Sequence, residues 1–390
     1  MARSALLPWH YAATTMVVLA LFCLSGCERG GADAGIVRKL NAEGKSRGNI
    51  FPDREDYYGV FVLDDNNAWV VGNRGTILHL TDKGQKVAVL PTWIEKALYN
   101  VNFVDAQNGI AVGQDGLIAK TSDGGKIWKQ VKLELPVEEW RPGLPHLFST
   151  SRGTDPQKIW AAGPGGTIIR SQDGGETWED LSLHRDVTIN GIAFANDTEG
   201  WAVGEFGSIL HTSDGGKTWQ EQKNVQNLPK YTRPDLSEED AIKQRVPQLY
   251  LEDLYLVSVA FRNEREGYVT GESGILLTTS DGGATWTNVP SGSFNTLLSI
   301  FPPGVQNVAV ATGVLGTLAT QEGDKWTVSP IVREHILTWL RDASFAKDSG
   351  FGLVCGGKGT VLITQDGGKT WQQLPKEKLE QAAASMGKAA

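Results

Sequence analysis

Eight arginine and tryptophan side chains have the residue types best suited to bind another molecule, because these types are enriched at binding hot spots. They are Arg74, Trp93, Trp140, Arg141, Arg185, Arg333, Trp339 and Arg341. The spacing of the turns places them near one face of the fold. Asp115, Glu205 and Glu272 lie in loops of the same class. Two interpretations therefore stay open, a binding surface of mixed charge or solvated charges among packing tryptophans, and we predict the first.

Catalytic motifs are missing from the sequence. The six histidines are dispersed, and neither His-x-x-x-His nor Cys-x-x-Cys occurs, so no zinc site is predicted. No Gly-x-Ser-x-Gly string occurs at a strand-to-helix turn, and the glycine-rich strings lack the following helix that a phosphate loop needs. We expect no metal, no cofactor and no enzyme activity.

Net charge and cysteine content exclude two further classes of protein. A net charge of −8 without a basic stripe argues against nucleic-acid binding. There are three cysteines, two of them in the first 27 residues, so a disulfide framework is not expected. Cys355 lies in an apolar strand and is expected to be a buried, inert thiol.

The N-terminal segment reads as a targeting signal. An apolar run from Met16 to Leu24 is too short to span a bilayer, and it leads into Leu-Ser-Gly-Cys ending at Cys27, which resembles the bacterial lipobox. An ordinary cleaved signal with an incidental cysteine is the alternative. We predict a lipoprotein signal peptide over 1–26, lipidation of Cys27 and a flexible tether over 27–49. The protein would then be anchored at the periplasmic face of the cell envelope, on either membrane.

A turn motif of the form Thr/Ser-x-Asp-x-Gly-x-Thr-Trp occurs five times, with one isoleucine in place of threonine. Its aspartates are Asp123, Asp173, Asp214, Asp281 and Asp366. The motif resembles the Asp-box, or BNR repeat. The aspartate can accept backbone N–H groups within the turn, and the tryptophan can be buried between neighbouring units. Asp-boxes occur in enzymes and non-enzymes, so they indicate a structural role.

Seven Gly-x-x-Gly hairpin signals follow one another at steps of 41 to 67 residues. Their first glycines are Gly72, Gly113, Gly163, Gly204, Gly271, Gly313 and Gly356. Such a period is the mark of a β-propeller with one blade per repeat. We predict an all-β, seven-bladed propeller of four-stranded antiparallel blades over 50–375. The ring closes with seven complete blades, or with Ile50 and Phe51 added to the last one. Residues 376–390 form a tail, as a short helix or a frayed end.

Strand direction assigns the loops to two faces. Because successive strands are antiparallel, Asp-box turns share one face with the first-to-second strand turns. The Gly-x-x-Gly loops share the other face with the connections between blades. Two long insertions, Leu133 to Leu147 and Glu221 to Leu254, are expected on this second face, the second with a capped helix at Ser237–Arg245. Long loops on one side of a rigid scaffold commonly carry function.

The repeat unit looks like that of the photosystem II stability/assembly factor family. Gly-Trp-Ala-Val-Gly-x-x-Gly-x-Ile-x-x-Thr-x-Asp-Gly-Gly-x-Thr-Trp is matched most closely at Gly200–Trp219, and the resemblance covers nearly all of 50–375. It implies a monomeric propeller of an export compartment that helps to assemble a membrane protein complex, photosystem-type or exporter-associated, through an arginine-bearing face. The arginines on that face are Arg74, Arg185, Arg333 and Arg341. The insertions and a degenerate sixth Asp-box depart from the pattern.

A glycan-binding or glycan-hydrolysing propeller is the alternative function. Sialidases also carry Asp-boxes, but their Phe/Tyr-Arg-Ile-Pro motif is absent here, and the nearest string is Phe-Arg-Asn at Phe261. Seven units also exceed the six of sialidases.

Overall fold

The computed structural model describes residues 55–137, 143–233, 236–303, 308–329 and 336–389. The predicted signal peptide, the lipidated Cys27 and the tether lie outside the described residues, as do Trp140, Arg141 and Arg333. The described residues belong to one compact unit.

Seven sheets follow one another along the chain, each built from consecutive strands and antiparallel except for one added parallel strand in the fifth. The strands of the first three are β1 (Tyr57–Asp64), β2 (Asn67–Gly72), β3 (Ile77–Thr81) and β4 (Lys86–Leu90); β5 (Leu98–Phe103), β6 (Gly109–Gly113), β7 (Ile118–Thr121) and β8 (Lys129–Val131); and β9 (Ser149–Arg152), β10 (Ile159–Ala162), β11 (Ile168–Ser171) and β12 (Glu179–Asp180).

The strands of the fourth and fifth blades are β13 (Ile189–Phe194), β14 (Gly200–Gly204), β15 (Ile209–Thr212) and β16 (Gln220–Glu221); and β17 (Val225–Gln226), β18 (Leu256–Phe261), β19 (Gly267–Gly271), β20 (Leu276–Thr279) and β21 (Trp286–Asn288). Those of the last two are β22 (Leu297–Phe301), β23 (Val310–Gly313), β24 (Leu318–Glu322) and β25 (Lys325–Val328); and β26 (Leu340–Phe345), β27 (Gly352–Gly356), β28 (Val361–Thr364) and β29 (Gln372–Gln373). The predicted seven-bladed, all-β propeller is confirmed.

Burial within a blade falls from the inner strands to the outer edge. In the fourth blade, all five residues of β14 are buried, whereas both residues of β16 are exposed. A strand covered on both faces reads as a continuous apolar run, which is what the Gly-Trp-Ala-Val-Gly segment provides. Each junction between neighbouring blades holds its own hydrophobic cluster. No blade can bury its apolar faces alone, so the ring stabilises its parts collectively.

Within the described residues, the first and seventh blades each contain four consecutive strands and meet side by side, whereas Ile50 and Phe51, on which the alternative closure depends, lie outside the described residues. The N–H of Val60 donates to Asp342 Oδ2 at 3.1 Å, and the N–H of Val62 donates to Ser344 Oγ at 2.9 Å. Helix α2 (Lys376–Ala389) packs against β4, and its Leu379 joins the cluster that both blades share. The C-terminal segment is therefore a packed helix that helps to close the ring.

Backbone hydrogen bonds confirm the predicted sidedness. On one side, the N–H of Gly207 in a Gly-x-x-Gly loop donates to Leu254 O in the following connection at 2.8 Å. On the other, the N–H of Gly215 in an Asp-box donates to Thr198 O in a first-to-second strand turn at 3.0 Å. We call these the Gly-x-x-Gly face and the Asp-box face.

The second insertion differs from the expectation that it stays on the Gly-x-x-Gly face. Its strand β17 pairs in parallel with β21, which makes the fifth blade five-stranded. Asn224 also reaches an Asp-box turn, where its side-chain amide donates to Ala284 O at 3.1 Å. The outer edge of β21 offered unpaired backbone groups, and the insertion covers them. The predicted helix is present as α1 (Glu238–Lys243), capped by Ser237, whose hydroxyl accepts from the Asp240 N–H.

Candidate interaction face

The Asp-box turns repeat one hydrogen-bond pattern, and Asp214 represents it. Its Oδ1 accepts from the Thr218 N–H at 2.9 Å and from the Thr212 hydroxyl at 2.8 Å, and its Oδ2 accepts from the Thr218 hydroxyl at 2.6 Å. Partial burial raises the pKa of Asp214, but these hydrogen bonds outweigh it and hold the pKa at about 2. Equivalent contacts surround the other predicted aspartates, Asp123, Asp173, Asp281 and Asp366. Their carboxylates are occupied in holding the turns.

The Gly-x-x-Gly loops repeat a backbone while their side chains change. In each loop the third residue is left-handed, with φ between 48° and 67°: Arg74, Asp115, Gly165, Phe206, Ser273, Leu315 and Lys358. The final glycine is left-handed as well. At Gly207, which has φ +59°, a Cβ would lie 2.0 Å from the carbonyl oxygen of Leu251. Glycine is required at that fourth position, whereas the third position tolerates side chains at a cost.

Phe206 and Leu315 are the two large apolar residues among these third positions. A left-handed conformation costs a residue with a Cβ about 1–2 kcal/mol, and glycine avoids the penalty. These two side chains are also 68% and 58% exposed, so burial within the described fold does not offset the strain. Strained residues persist where the surroundings or a function demand them. Their side chains are therefore candidates for contact with another molecule.

Exposed apolar side chains are concentrated in the loops and connections of the Gly-x-x-Gly face. Ten large apolar residues are exposed in the described part of the chain: Trp93, Ile127, Val137, Leu144, Phe206, Ile242, Tyr250, Phe294, Leu315 and Leu337. Nine belong to Gly-x-x-Gly loops or to connections between blades. The exception is Ile127, which lies in an Asp-box turn. Single exposed apolar residues are ordinary, but a concentration in one class of loops indicates an interaction surface.

The predicted arginines on this face hold ion pairs at its surface. Arg74 lies 3.4 Å from a carboxylate oxygen of Glu55, and Arg185 lies 3.2 Å from Glu221. Both side chains are nearly half exposed, so such pairs contribute little to stability. Trp93 is 43% exposed, and its ring nitrogen donates to Trp128 O at 2.5 Å. These three residues are accessible from the solvent.

The channel mouth on this face is filled by one residue from the start of each innermost strand. They are Tyr58, Tyr99, Phe148, Asn190, Val257, Leu298 and Arg341, and together with their neighbours they enclose only about 40 Å³. A register shift falls at this position in six of the seven innermost strands. Such bulges re-aim a side chain. The remaining space is on the order of one water molecule.

Two predicted residues, Trp339 and Arg341, lie at this mouth. Trp339 stacks on Tyr58 with ring centroids 5.6 Å apart. The Arg341 guanidinium donates to Leu298 O at 2.8 Å, and burial lowers its pKa. Arg341 therefore lines the channel, whereas Arg74 and Arg185 stand at the surface, so the structure does not gather the predicted arginines into one cluster.

Glu272 is a buried carboxyl group of this face whose pKa is shifted upward. It is 7% exposed and accepts from the Tyr255 N–H at 3.2 Å. Burial raises its pKa to about 7, against the smaller opposing effect of that hydrogen bond. Near neutral pH, Glu272 therefore exists in both protonation states.

Sequence reasoning missed the apolar character of the Gly-x-x-Gly face. It selected arginine and tryptophan, and it passed over Phe206 and Leu315. The signal was present, because a large apolar residue at the third position of a left-handed loop is unfavourable locally and has no core to join. Among described residues, no three His, Cys, Asp or Glu side chains are grouped to hold a metal ion, and neither helix is long and apolar enough to cross a membrane.

Comparison with known sequences identifies relatives of the repeat region. A family model described as photosynthesis system II assembly factor YCF48 matches residues 177–308. Two photosystem II assembly lipoproteins called Ycf48, from Prochlorococcus marinus strains MIT 9312 and NATL2A, are 45% and 49% identical over 40 and 39 residues. Residues 177–308 of the chain are thus similar to a photosystem II assembly factor. Each match spans 10% of this chain and only 12% of the curated relative.

Solved structures share the fold of this assembly factor-like chain more completely. YCF48 from Cyanidioschyzon merolae aligns with a TM-score of 0.59 and 17% identity over 84% of this chain and 99% of that one. A structure described as YCF48 bound to D1 peptide gives 0.52 and 21%, over 72% and 82%. A GH74 xyloglucanase from Xanthomonas campestris gives 0.59 and 12%, over 82% and 53%. At these identities the similarity establishes the propeller fold alone.

Proposed function

We propose that this assembly factor-like propeller is a non-catalytic docking protein that holds a membrane protein complex against its Gly-x-x-Gly face. The observation that supports this proposal is that Phe206 and Leu315 are both apolar, left-handed and exposed. A partner that covers these side chains would recover the hydrophobic free energy that the isolated chain forgoes, at roughly 25 cal/mol per Å² of apolar surface.

The nature of the partner is proposed from the relatives. One YCF48 structure holds a D1 peptide, and the curated relatives are named photosystem II assembly lipoproteins. By analogy, the partner here is a polypeptide segment of a membrane complex, of the photosystem type or belonging to an exporter. Arg74, Trp93, Arg185 and Trp339 belong to loops or connections of the same face and are proposed as contacts, with Trp140, Arg141, Arg333 and Arg341 as the remaining members of the set.

A non-catalytic role is supported by the channel mouth. Asp342 is the carboxylate that lines it, and it accepts hydrogen bonds from the Val60 N–H, the Ser299 hydroxyl and the Ala343 N–H. Burial also raises its pKa. A glycosidase needs two opposed carboxyl groups and room for a sugar between them, which a space of about 40 Å³ does not provide.

The proposal includes a lipid anchor at Cys27 and a monomeric propeller at the periplasmic face of the cell envelope. Labelling of the wild type, but not of Cys27→Ser, by a fatty-acid analogue would support the anchor. Labelling of both would refute it without bearing on the docking face.

Co-purification from native membranes tests the docking face. We expect the wild type to recover an integral membrane protein and the double variant Phe206→Ser/Leu315→Ser, or Arg74→Glu, to recover much less. Arg262→Glu is the matched control, because Arg262 is comparably exposed but stands at the end of an innermost strand on the Asp-box face. Equal recovery by the wild type and the double variant would refute the face.

A further inference from the structure

Three blade junctions contain the same aromatic stack. A tryptophan on the second strand of one blade lies flat against the phenylalanine that ends the innermost strand of the next. The pairs are Trp69–Phe103, Trp160–Phe194 and Trp201–Phe261, with ring centroids 3.5 to 3.7 Å apart. Each tryptophan also donates its ring N–H to a glycine carbonyl in the next Asp-box, namely Gly124, Gly215 and Gly282. This stack seals the junction on the Asp-box face.

The junction between the second and third blades lacks both members of the stack. Ile110 occupies the tryptophan position, and Arg152 occupies the phenylalanine position, since it ends β9 as Phe103 ends β5. The residue paired with the phenylalanine is also altered. Phe103 pairs with Gly109, whose Cα the ring covers, whereas Arg152 pairs with Ile159. Three positions of the repeat therefore change together at this junction.

A cleft of about 640 Å³ opens where the stack is missing. Its lining is mostly polar and includes Asn102, Asn108, Lys120, Arg152 and Gln157. Two of these side chains bring a buried atom without a hydrogen-bond partner, Arg152 Nε and Asn102 Oδ1. Buried polar atoms in native proteins are rarely left unpaired, and each exception calls for an explanation. A cavity of this size is within the range of small-molecule sites.

Arg152 is held as a cation without a salt bridge. Its guanidinium carbon lies 5.6 Å from the centroid of the Phe61 ring. Burial lowers its pKa, and the charge of Asp105 opposes that effect. In the described part of the chain no carboxylate lies within 4.0 Å of it, because Asp105 instead accepts hydrogen bonds from the Gln107 N–H and from Asn108. A partly desolvated guanidinium without a carboxylate partner favours an incoming anion.

We propose that this cleft binds a small hydroxylated carboxylate of the sugar-acid class. A carboxylate matches the planar fork of the Arg152 guanidinium, which lines the cleft. Neighbouring hydroxyls can contact the side-chain amides of Asn108 and Gln157, which line the same cleft. The site lies between first-to-second strand turns on the Asp-box face, away from the proposed docking face. It stands independently of the proposed function.

Calorimetric titration of the full chain tests the ligand class with three probes: D-glucuronate, D-glucose and inorganic phosphate. We expect glucuronate to bind and to raise the melting temperature, and the other two to bind at least about tenfold more weakly, since the loss of one charge-assisted contact has this magnitude. Phosphate or glucose binding as tightly as glucuronate overturns the sugar-acid assignment. The absence of any glucuronate binding at millimolar concentration overturns the proposal.

Two variants locate the binding in the cleft. Arg152→Gln is expected to weaken glucuronate binding at least about tenfold. Arg152→Phe/Ile159→Gly restores the pair found in the second blade, and it is expected to fold and to abolish binding. Arg262→Gln removes an exposed arginine from the same face and should leave the affinity unchanged. Unaltered affinity in the double variant, with its melting temperature retained, would refute the cleft as the site.

Discussion

The two faces of the propeller use their repeats in opposite ways. On the Asp-box face, the same side chains recur and make the same hydrogen bonds, as in the turns of Asp173 and Asp214. On the Gly-x-x-Gly face, the backbone recurs while its third residue varies from arginine to phenylalanine, leucine and lysine. A repeated side chain maintains the fold, whereas a varied side chain on a fixed and strained backbone is free to serve recognition. We therefore assign the Asp-box turns to stability and propose the Gly-x-x-Gly face as the one that docks a protein partner.

The largest expected effect on stability comes from substituting a buried residue on the Asp-box face. Trp201 is fully buried, stacks on Phe261 and donates to Gly282 O, so Trp201→Ala should lose about 3–5 kcal/mol of unfolding free energy. Calorimetric melting measures the loss. Phe206→Ala, the control on the binding side, should stay within about 0.5 kcal/mol of the wild type. Similar losses in both variants would contradict the division between the faces.

A pH titration sharpens the comparison at Glu272. Its pKa in the fold is about 7, above the ordinary value of 4.5. A raised pKa gives stability that is fully present below 4.5 and is lost as pH rises through 7. Glu272→Gln should therefore match the wild type near pH 4.5 and exceed its stability at pH 8 by roughly 3 kcal/mol at most. Melting curves across this range measure the difference, and parallel curves for both proteins would contradict the assignment.

Asp214 should show the opposite pH dependence. Its pKa of about 2 lies below the ordinary value of 3.8, so its contribution is present above 3.8 and is lost as pH falls through 2. Asp214→Ala should lose about 1–2 kcal/mol near neutral pH, the cost typical of a lost side-chain cap. The difference in unfolding free energy between Asp214→Ala and the wild type should become smaller as the pH falls. A difference that becomes larger at low pH would contradict the role of the carboxylate in the turn.

The smallest expected effect is a gain in stability on replacing a left-handed apolar residue of the Gly-x-x-Gly face with glycine. Phe206→Gly and Leu315→Gly relieve left-handed strain, but glycine also adds entropy to the unfolded chain. We expect a net gain of at most about 1 kcal/mol for each. Gly207→Ala is the contrasting change and should destabilise, because its Cβ would meet the Leu251 carbonyl oxygen. Losses of stability in both glycine variants would show that the two side chains support the fold.

The blades and their turns were predictable from the sequence because they are local. Each Asp-box lies within eight residues, and the predicted capped helix is present with Ser237 as its N-cap. Three features depended on contacts distant in sequence. Arg341 meets a carbonyl 43 residues away, β17 adds to a strand 61 residues later, and helix α2 packs on the first blade. The periodicity of the sequence predicts the repeated elements, but it does not predict these long-range contacts.

The candidate site was predicted only in part for the same reason. Choosing residues by type found Arg74, Arg185 and Trp93, which are accessible. It did not separate them from Arg341, whose burial follows from the bulge in β26. It also left out Phe206 and Leu315, because selection by residue type did not weigh the left-handed conformation of the third position in a Gly-x-x-Gly loop.

Site-specific photo-crosslinking in native membranes tests whether the Gly-x-x-Gly face docks a membrane protein. A photoreactive phenylalanine analogue is placed at Phe206, at Leu315 and, as the control, at Ile127, which is comparably exposed on the Asp-box face. We expect the first two positions to crosslink to one integral membrane protein and Ile127 not to crosslink to it. Crosslinks to that protein from Ile127 alone, or equally from all three positions, would contradict the proposed docking face.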